Sequence, residues 1–201
     1  MIHLHTSKKF TEDLTKSGCD LTCVENGVAW HWYAHRITLL HKKCVIVMEG
    51  ESRYALVFAG LKKKDFSRFD QMLRERILAE ARWLCDLQPE ANKRLMTKLE
   101  EKSAAVFCSQ GLDRSVQSHI RQAGDELYSL IHYRFGRLPE TPEEEIALGA
   151  IVNDTLRKRG CDKDYFFPQQ KWRESLLALL ASPEKTNVVN LADFRKDRED
   201  A

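Results

Sequence analysis

Histidine is the residue type whose placement most suggests chemistry in this sequence. Five of the seven histidines lie within the first 41 residues. Two pairs, His3 with His5 and His31 with His35, fall in stretches whose branched and aromatic residues predict β-strands. Alternate side chains of a strand project from one face. One hypothesis is therefore a metal site with His3, His5, His31 and His35 as imidazole ligands, serving a metal-dependent hydrolase.

The metal hypothesis lacks a carboxylate or thiolate at a matching spacing. Cys19 and Cys23 form one pair in a predicted loop, and no second cysteine pair completes a site. Histidines on strands are commonly surface residues or hydrogen-bonded core residues. The sequence alone therefore leads us to expect no metal or other cofactor.

Aromatic and basic side chains alternate in the following strands, as they do in sheets that bind single-stranded nucleic acid. The aromatic residues are Trp30, Trp32 and Tyr33, and the cations are Arg36, Lys42, Lys43 and Arg53. No RNP-like motif accompanies them. Trp30 and Trp32 on one strand face equally predict a contact with covering helices. Binding of nucleic acid or of a nucleotide phosphate is the second hypothesis.

Two predicted helices carry cations in their first turn, where positive charge opposes the helix dipole. Lys8 and Lys9 follow Thr6 and Ser7, and Arg114 follows the candidate N-cap Asp113. If the fold brings the two starts together, their free N–H groups and these cations would form an anion site. Alternatively, each lysine pairs with the acidic residue four positions later.

Nucleophilic catalysis has little support in the sequence. No Gly-x-Ser-x-Gly turn, glycine-rich phosphate loop or His-Glu-x-x-His helix is present. Cys44 follows two lysines, which could activate its thiol, but its alternation with Ile46 and Met48 predicts a core residue. The favoured hypothesis is a non-enzymatic binding or interaction module, whose partner could be a protein.

Hydrophobic periodicity and capping residues predict the elements. The predicted strands cover residues 1–5, 28–34, 36–41, 43–49, 53–59 and the stretch AAVFCSQG, and the predicted helices begin near residues 7, 65, 89, 113, 142 and 168. The helix beginning at residue 142 should extend to residue 159. Its last turn would hold Arg157, Lys158 and Arg159, at the C-terminal end where the helix dipole favours positive charge.

These elements predict an α+β fold, with a small antiparallel sheet in the N-terminal half packed by helices and a mainly helical C-terminal half. We expect one domain over residues 1–181, sheet-rich to residue 60, and a flexible tail over 182–201.

A net charge of +2 is too small to indicate a nucleic-acid partner by itself. No segment approaches the roughly 18 apolar residues of a membrane span. Scattered cysteines suit a reducing cytoplasm.

Several short motifs, taken in order, resemble an uncharacterised bacterial family, one of the domains of unknown function. They are the start MIHLHTSKKF, the strand block WYAHRITLLHKKCVIVMEGESRYALVF and the later DRSV at a helix start. The resemblance covers roughly residues 1–180. It implies a bacterial cytosolic setting, and the family has no assigned activity or catalytic residues to transfer.

Overall fold

A computed structural model describes residues 1–18, 29–111, 113–160 and 162–181. These residues contain one five-stranded mixed sheet with the strand order 4-3-2-1-5. The strands are β1 (Ile2–Thr6), β2 (Trp30–Leu39), β3 (Lys42–Glu49), β4 (Ala55–Leu61) and β5 (Val106–Gln110). Strands β2, β3 and β4 form an antiparallel meander, whereas β1 pairs in parallel with both β2 and β5.

Helices cover both faces of the sheet. They are α1 (Lys8–Lys16), α2 (Lys63–Phe66), α3 (Phe69–Cys85), α4 (Pro89–Lys102), α5 (Arg114–Ser129), α6 (Pro142–Asn153) and α7 (Pro168–Ala181). A π-helical segment, Leu130–Phe135, continues α5. The predicted α+β class is confirmed, and the sheet is mostly antiparallel.

Two hydrophobic cores lie on opposite faces because side chains alternate along each strand. On the first face, Trp32, Val45 and Leu56 pack against α1, α3, α4 and α7. On the second face, Ile46 and Val57 pack against α5 and α6. Residues of β2 with odd numbers point to this second face. Strand β3 lies in the interior of the sheet and is buried on both faces, which explains its continuous run of apolar residues.

The strands differ from the prediction in two respects. The segments predicted at 28–34 and 36–41 form one strand, β2, which continues to a tight turn at Leu40 and His41. Both turn residues have positive φ, as a two-residue hairpin of this kind requires. The parallel pairing of β1 and β5 was also unforeseen, because sequence patterns do not specify which distant strands become neighbours.

The helix predicted from residue 65 divides into the single turn α2 and the longer α3. The helix predicted over 142–159 ends at Asn153. Arg157 instead forms a β-bridge with Phe166, and its buried guanidinium donates to the side-chain amide oxygen of Gln122 and to the Glu126 carboxylate. These side-chain partners on α5 hold Arg157 away from the helical path.

Among the described residues, no helix combines the length and apolar character needed to cross a membrane. The tail predicted at 182–201 lies outside the described residues, so the domain boundary at residue 181 stays a prediction. Cys19, Cys23 and Cys161 are outside them as well.

Candidate metal centre

Three of the four predicted metal ligands meet on the second face of the sheet. The parallel register places His3 directly opposite His31, and His5 lies two residues further along β1. Their three candidate ligand nitrogens all lie within 4.8 Å of one another. His3 and His5 are half-buried and His31 is exposed, so the cluster is open to solvent.

The three imidazoles are held by one another and by β5. His5 Nε2 and His31 Nδ1 lie 2.9 Å apart, a hydrogen bond in which one of the two nitrogens donates and the other accepts. His3 stacks on His5 with ring centroids 4.1 Å apart, and its Nε2 lies 2.7 Å from the Ser109 hydroxyl oxygen. When His3 Nε2–H donates to Ser109, Nδ1 keeps the lone pair that a metal requires.

Tyr33 on β2 and Gly50, which follows the end of β3, support the cluster. The Tyr33 ring stacks on His5 with centroids 4.6 Å apart. The Gly50 N–H donates to the His31 carbonyl at 2.9 Å. A Cβ on Gly50 would lie 3.1 Å from that carbonyl oxygen and 3.4 Å from Tyr33 Cε2, so the absence of a side chain permits this close approach.

Burial keeps the two β1 imidazoles uncharged. Desolvation, followed by the electrostatic effects of His3 and His31, lowers the pKa of His5 to about 4, against a smaller raising effect from Asp113. Desolvation, followed by the electrostatic effect of His31, also lowers the pKa of His3. Both side chains are therefore neutral at pH 7, which is the form that binds a metal ion.

The connections that follow β1 and β5 leave the sheet toward opposite faces. Strands β1 and β5 are adjacent and parallel, but β1 leads into α1 on the first face and β5 leads into α5 on the second. Ligands of open sheets commonly bind at such a switch point, at the carboxyl ends of the strands. Asp113 caps α5 there, with its carboxylate accepting from the Ser115 and Val116 N–H groups.

His35 does not join the three-histidine cluster. It lies four residues beyond His31 on β2, about 13 Å along an extended strand. It lines a separate cavity of about 410 Å³ together with Arg121. Burial, followed by the charges of Lys9, Arg36 and Arg121, lowers the pKa of His35.

The predicted cations are not gathered on one surface. Arg36 and Lys43 both form ion pairs with Asp13 on α1. Lys42 is exposed at the turn. Arg53 is buried, and its guanidinium donates to the Ser115 hydroxyl at 2.9 Å.

The two helix starts of the predicted anion site lead into helices on different faces of the sheet. Lys8, Lys9 and Arg114 are exposed. Helix α1 packs in the first core and α5 in the second, and the anion site stays a prediction.

The three aromatic residues do not form one stacking surface. Trp30 and Trp32 are buried in the first core, whereas Tyr33 lies on the second face beside His5. The Trp30 indole donates to the Glu49 carboxylate, and Trp32 packs edge-on against Trp172. Cys44 is buried, and its burial raises the pKa of its thiol, which opposes a role as a nucleophile.

Sequence reasoning missed Ser109, Gly50 and Asp113 as neighbours of the cluster. Ser109 lies two residues after Phe107 in a predicted strand, so the two side chains should share one face of that strand. No local feature of the sequence, however, indicates that this strand pairs with β1. Gly50 and Asp113 look like an ordinary turn residue and an ordinary helix cap.

Comparison with known proteins identifies a family without an assigned activity. No curated protein matches this sequence. A family model matches residues 3–171, which is most of the chain and agrees with the extent of the resemblance seen in the sequence. The chain belongs to this family, the domain of unknown function DUF6933.

Proposed function

We propose that this protein binds a divalent transition metal ion, of the zinc type, through His3, His5 and His31. The observation that carries the proposal is the convergence of three imidazole nitrogens within 4.8 Å on one open sheet face. Zn–N bonds of about 2.0–2.1 Å at tetrahedral angles place ligand nitrogens about 3.4 Å apart. Small side-chain rotations would bring the three nitrogens to that spacing.

The chemistry of the donor set supports a reactive centre. Three neutral imidazoles leave one position of a tetrahedral zinc ion for water or a substrate, as catalytic zinc sites do. A metal ion in such a site lowers the pKa of its bound water and supplies hydroxide near neutral pH. This arrangement favours the metal-dependent hydrolase among the three sequence hypotheses.

The other two hypotheses receive less support from the geometry. Nucleic-acid binding would need exposed aromatic side chains, yet Trp30 and Trp32 are buried. Two of its cations, Arg36 and Lys43, are held in ion pairs with Asp13. A binding module without enzymatic chemistry gives no specific reason for three histidines to converge.

Metal content measured on protein purified without an affinity tag tests the proposal. We expect about one Zn²⁺, or one Co²⁺ after exchange, per chain. His3→Ala and His31→Ala should weaken metal binding by more than about a hundredfold. His35→Ala is the matched control, because it removes a histidine from the same strand face outside the cluster, and it should bind metal normally.

Two results would contradict the proposal. One is a folded wild-type chain that takes up neither Zn²⁺ nor Co²⁺ in a titration at neutral pH. The other is a loss of affinity in His35→Ala equal to that in His31→Ala, which would show that binding does not depend on the three-histidine cluster.

A further inference from the structure

A cavity of about 310 Å³ adjoins the candidate metal centre on the second face of the sheet. His31 lines the cavity, and Tyr33, which stacks on His5, lines it as well. Arg53 and Asp113 complete the side nearest α5. A molecule in this cavity would therefore contact His31, a candidate metal ligand, and Arg53.

Arg53 is a buried cation without an ion pair among the described residues. The residue is only 6% exposed. One guanidinium nitrogen, Nη2, donates to the Ser115 hydroxyl at 2.9 Å, but Nε has no hydrogen-bond partner. Burial, followed by the nearby charge of Arg159, lowers its pKa. A buried charge with an unused donor is costly unless a partner of opposite charge is bound.

The carboxylates around the cavity are already engaged elsewhere. Glu49 accepts an indole N–H and two backbone N–H groups of the following turn. Glu51 forms an ion pair with Arg159. Asp113 caps α5 through two backbone N–H groups. These three acids act on Arg53 electrostatically, but none lies within ion-pair distance of its guanidinium.

The backbone at Arg53 adds an independent observation. Its φ is +60°, in the left-handed region that favours glycine. The turn that holds it is well fixed, because the Arg53 N–H donates to the Glu49 carbonyl at 3.1 Å. An arginine kept in a strained conformation over a cavity is an outlier of the kind that marks ligand-binding positions.

We propose that this cavity binds the oxyanion group of a small molecule, a carboxylate or a phosphate, between the Arg53 guanidinium and the metal ion. This inference rests on the proposed metal centre, and it names the substrate class of that centre. A divalent ion held by three neutral imidazoles keeps its full charge and favours an anionic fourth ligand. The planar guanidinium offers the donors that carboxylate and phosphate oxygens accept.

Calorimetry on metal-free protein tests whether Arg53 binds an anion without the metal ion. Inorganic phosphate and acetate are each titrated at constant ionic strength, with chloride as the reference anion. We expect at least one of the two anions to bind. Arg53→Gln and Arg53→Gly should each lose about tenfold or more in affinity. Arg53→Gly also removes the backbone strain, so it keeps the test valid if the glutamine variant folds poorly.

Arg114→Gln provides the control, since it removes an exposed cation at the start of α5, the helix whose Ser115 accepts from Arg53. Its affinity should stay within about twofold of the wild type. Zn²⁺-loaded protein, freed of excess metal, should bind the anion about tenfold or more tightly than metal-free protein, and His31→Ala should abolish that gain. Acetate binding alone assigns a carboxylate, and phosphate binding alone assigns a phosphate ester or free phosphate.

The two proposals fail in distinguishable ways. If neither anion binds to the metal-free wild type, or if both Arg53 variants bind as the wild type does, the anion cavity is overturned. If anions bind through Arg53 but the chain takes up no metal, the metal centre is overturned and the Arg53 cavity stands. If metal binds without increasing anion affinity, the bridging arrangement is overturned.

Discussion

His5 Nε2 lies 2.9 Å from His31 Nδ1, although the two residues are 26 positions apart in the chain. The parallel pairing of β1 with β2 creates this contact, because it sets His3 opposite His31 and His5 two residues further along. The same register places the Tyr33 ring on His5. The candidate metal centre therefore depends on strand pairing rather than on a local motif.

Gly50→Ala should destabilise the protein and weaken metal binding. The new Cβ would lie 3.1 Å from the His31 carbonyl oxygen and would displace the strand that carries this ligand. We expect a loss of about 1–3 kcal/mol in the free energy of unfolding, measured by urea denaturation. Gly160→Ala is the control, since no described atom lies within 4 Å of its new Cβ. Equal effects of the two substitutions would contradict the proposed role of Gly50.

Tyr33→Ala should lower metal affinity, whereas Tyr33→Phe should preserve it. The Tyr33 ring stacks on His5, and removing the ring frees this imidazole to rotate away from the ligand geometry. We expect the alanine variant to lose about tenfold in affinity for Co²⁺ in a visible-absorbance titration. The phenylalanine variant keeps the stacking surface. If Tyr33→Phe lost as much affinity as Tyr33→Ala, the hydroxyl and not the stacking would matter.

His119→Gln should reduce the loss of stability at acidic pH. Burial, followed by the charges of Arg53 and Arg157, lowers the pKa of His119 to about 4. Between about pH 6.5 and pH 4 the unfolded chain therefore binds a proton that the fold excludes, so stability falls as pH falls.

The variant lacks this contribution, which is at most about 3 kcal/mol. Urea denaturation of metal-free protein at pH 7.5 and pH 5 measures it. We expect the wild type to lose more stability than the variant between these two pH values. A difference between the proteins that is independent of pH would contradict this linkage.

Glu80→Gln should gain stability relative to the wild type as pH rises, whereas His119→Gln should gain it as pH falls. Glu80 is fully buried, and its carboxylate accepts from the Tyr54 hydroxyl at 2.7 Å. Desolvation raises its pKa to about 7, against the lowering effects of Tyr54 and Arg76. The fold thus favours the protonated acid, and its contribution to stability, present below about pH 4.5, is lost as pH rises toward 7.

Glutamine has no proton to lose at this position and can still accept from Tyr54. We expect the stability of Glu80→Gln relative to the wild type to increase by roughly 1–3 kcal/mol between pH 5 and pH 8. Thermal unfolding followed by circular dichroism would measure it. A relative stability that decreases over this range would show that the ionised carboxylate is the stabilising form.

Trp32→Ala should destabilise the fold by about 3–5 kcal/mol, because it empties a large volume in the first core. Trp32 is completely buried and packs edge-on against Trp172. Trp83→Ala is the matched control, since this tryptophan is 47% exposed, and its cost should be about 0.5 kcal/mol. Chemical denaturation compares the two variants. A small cost for Trp32→Ala would reopen a binding role for this side chain.

Much of the fold could be predicted from local patterns. The helix at Arg114 begins where Asp113 predicts it, because a cap and its apolar stripe act within a few residues. The strand signals predicted a hairpin between β2 and β3, but they placed its turn at residue 42, whereas the turn residues are Leu40 and His41. Arg157 is a residue that local patterns placed wrongly. Its charge suited the end of α6, but its guanidinium bonds Gln122 and Glu126 on α5, and the residue lies outside α6.

The sequence by itself determined that His3 and His5 share a strand face, because alternation along a strand is a local property of the backbone. It also determined the α+β class. Only the tertiary structure decided that His31 completes the cluster, that His35 does not, and that Arg53 is buried beside it. Those facts depend on the parallel register of β1 with β2 and on the position of α5, which arise from packing between segments distant in the chain.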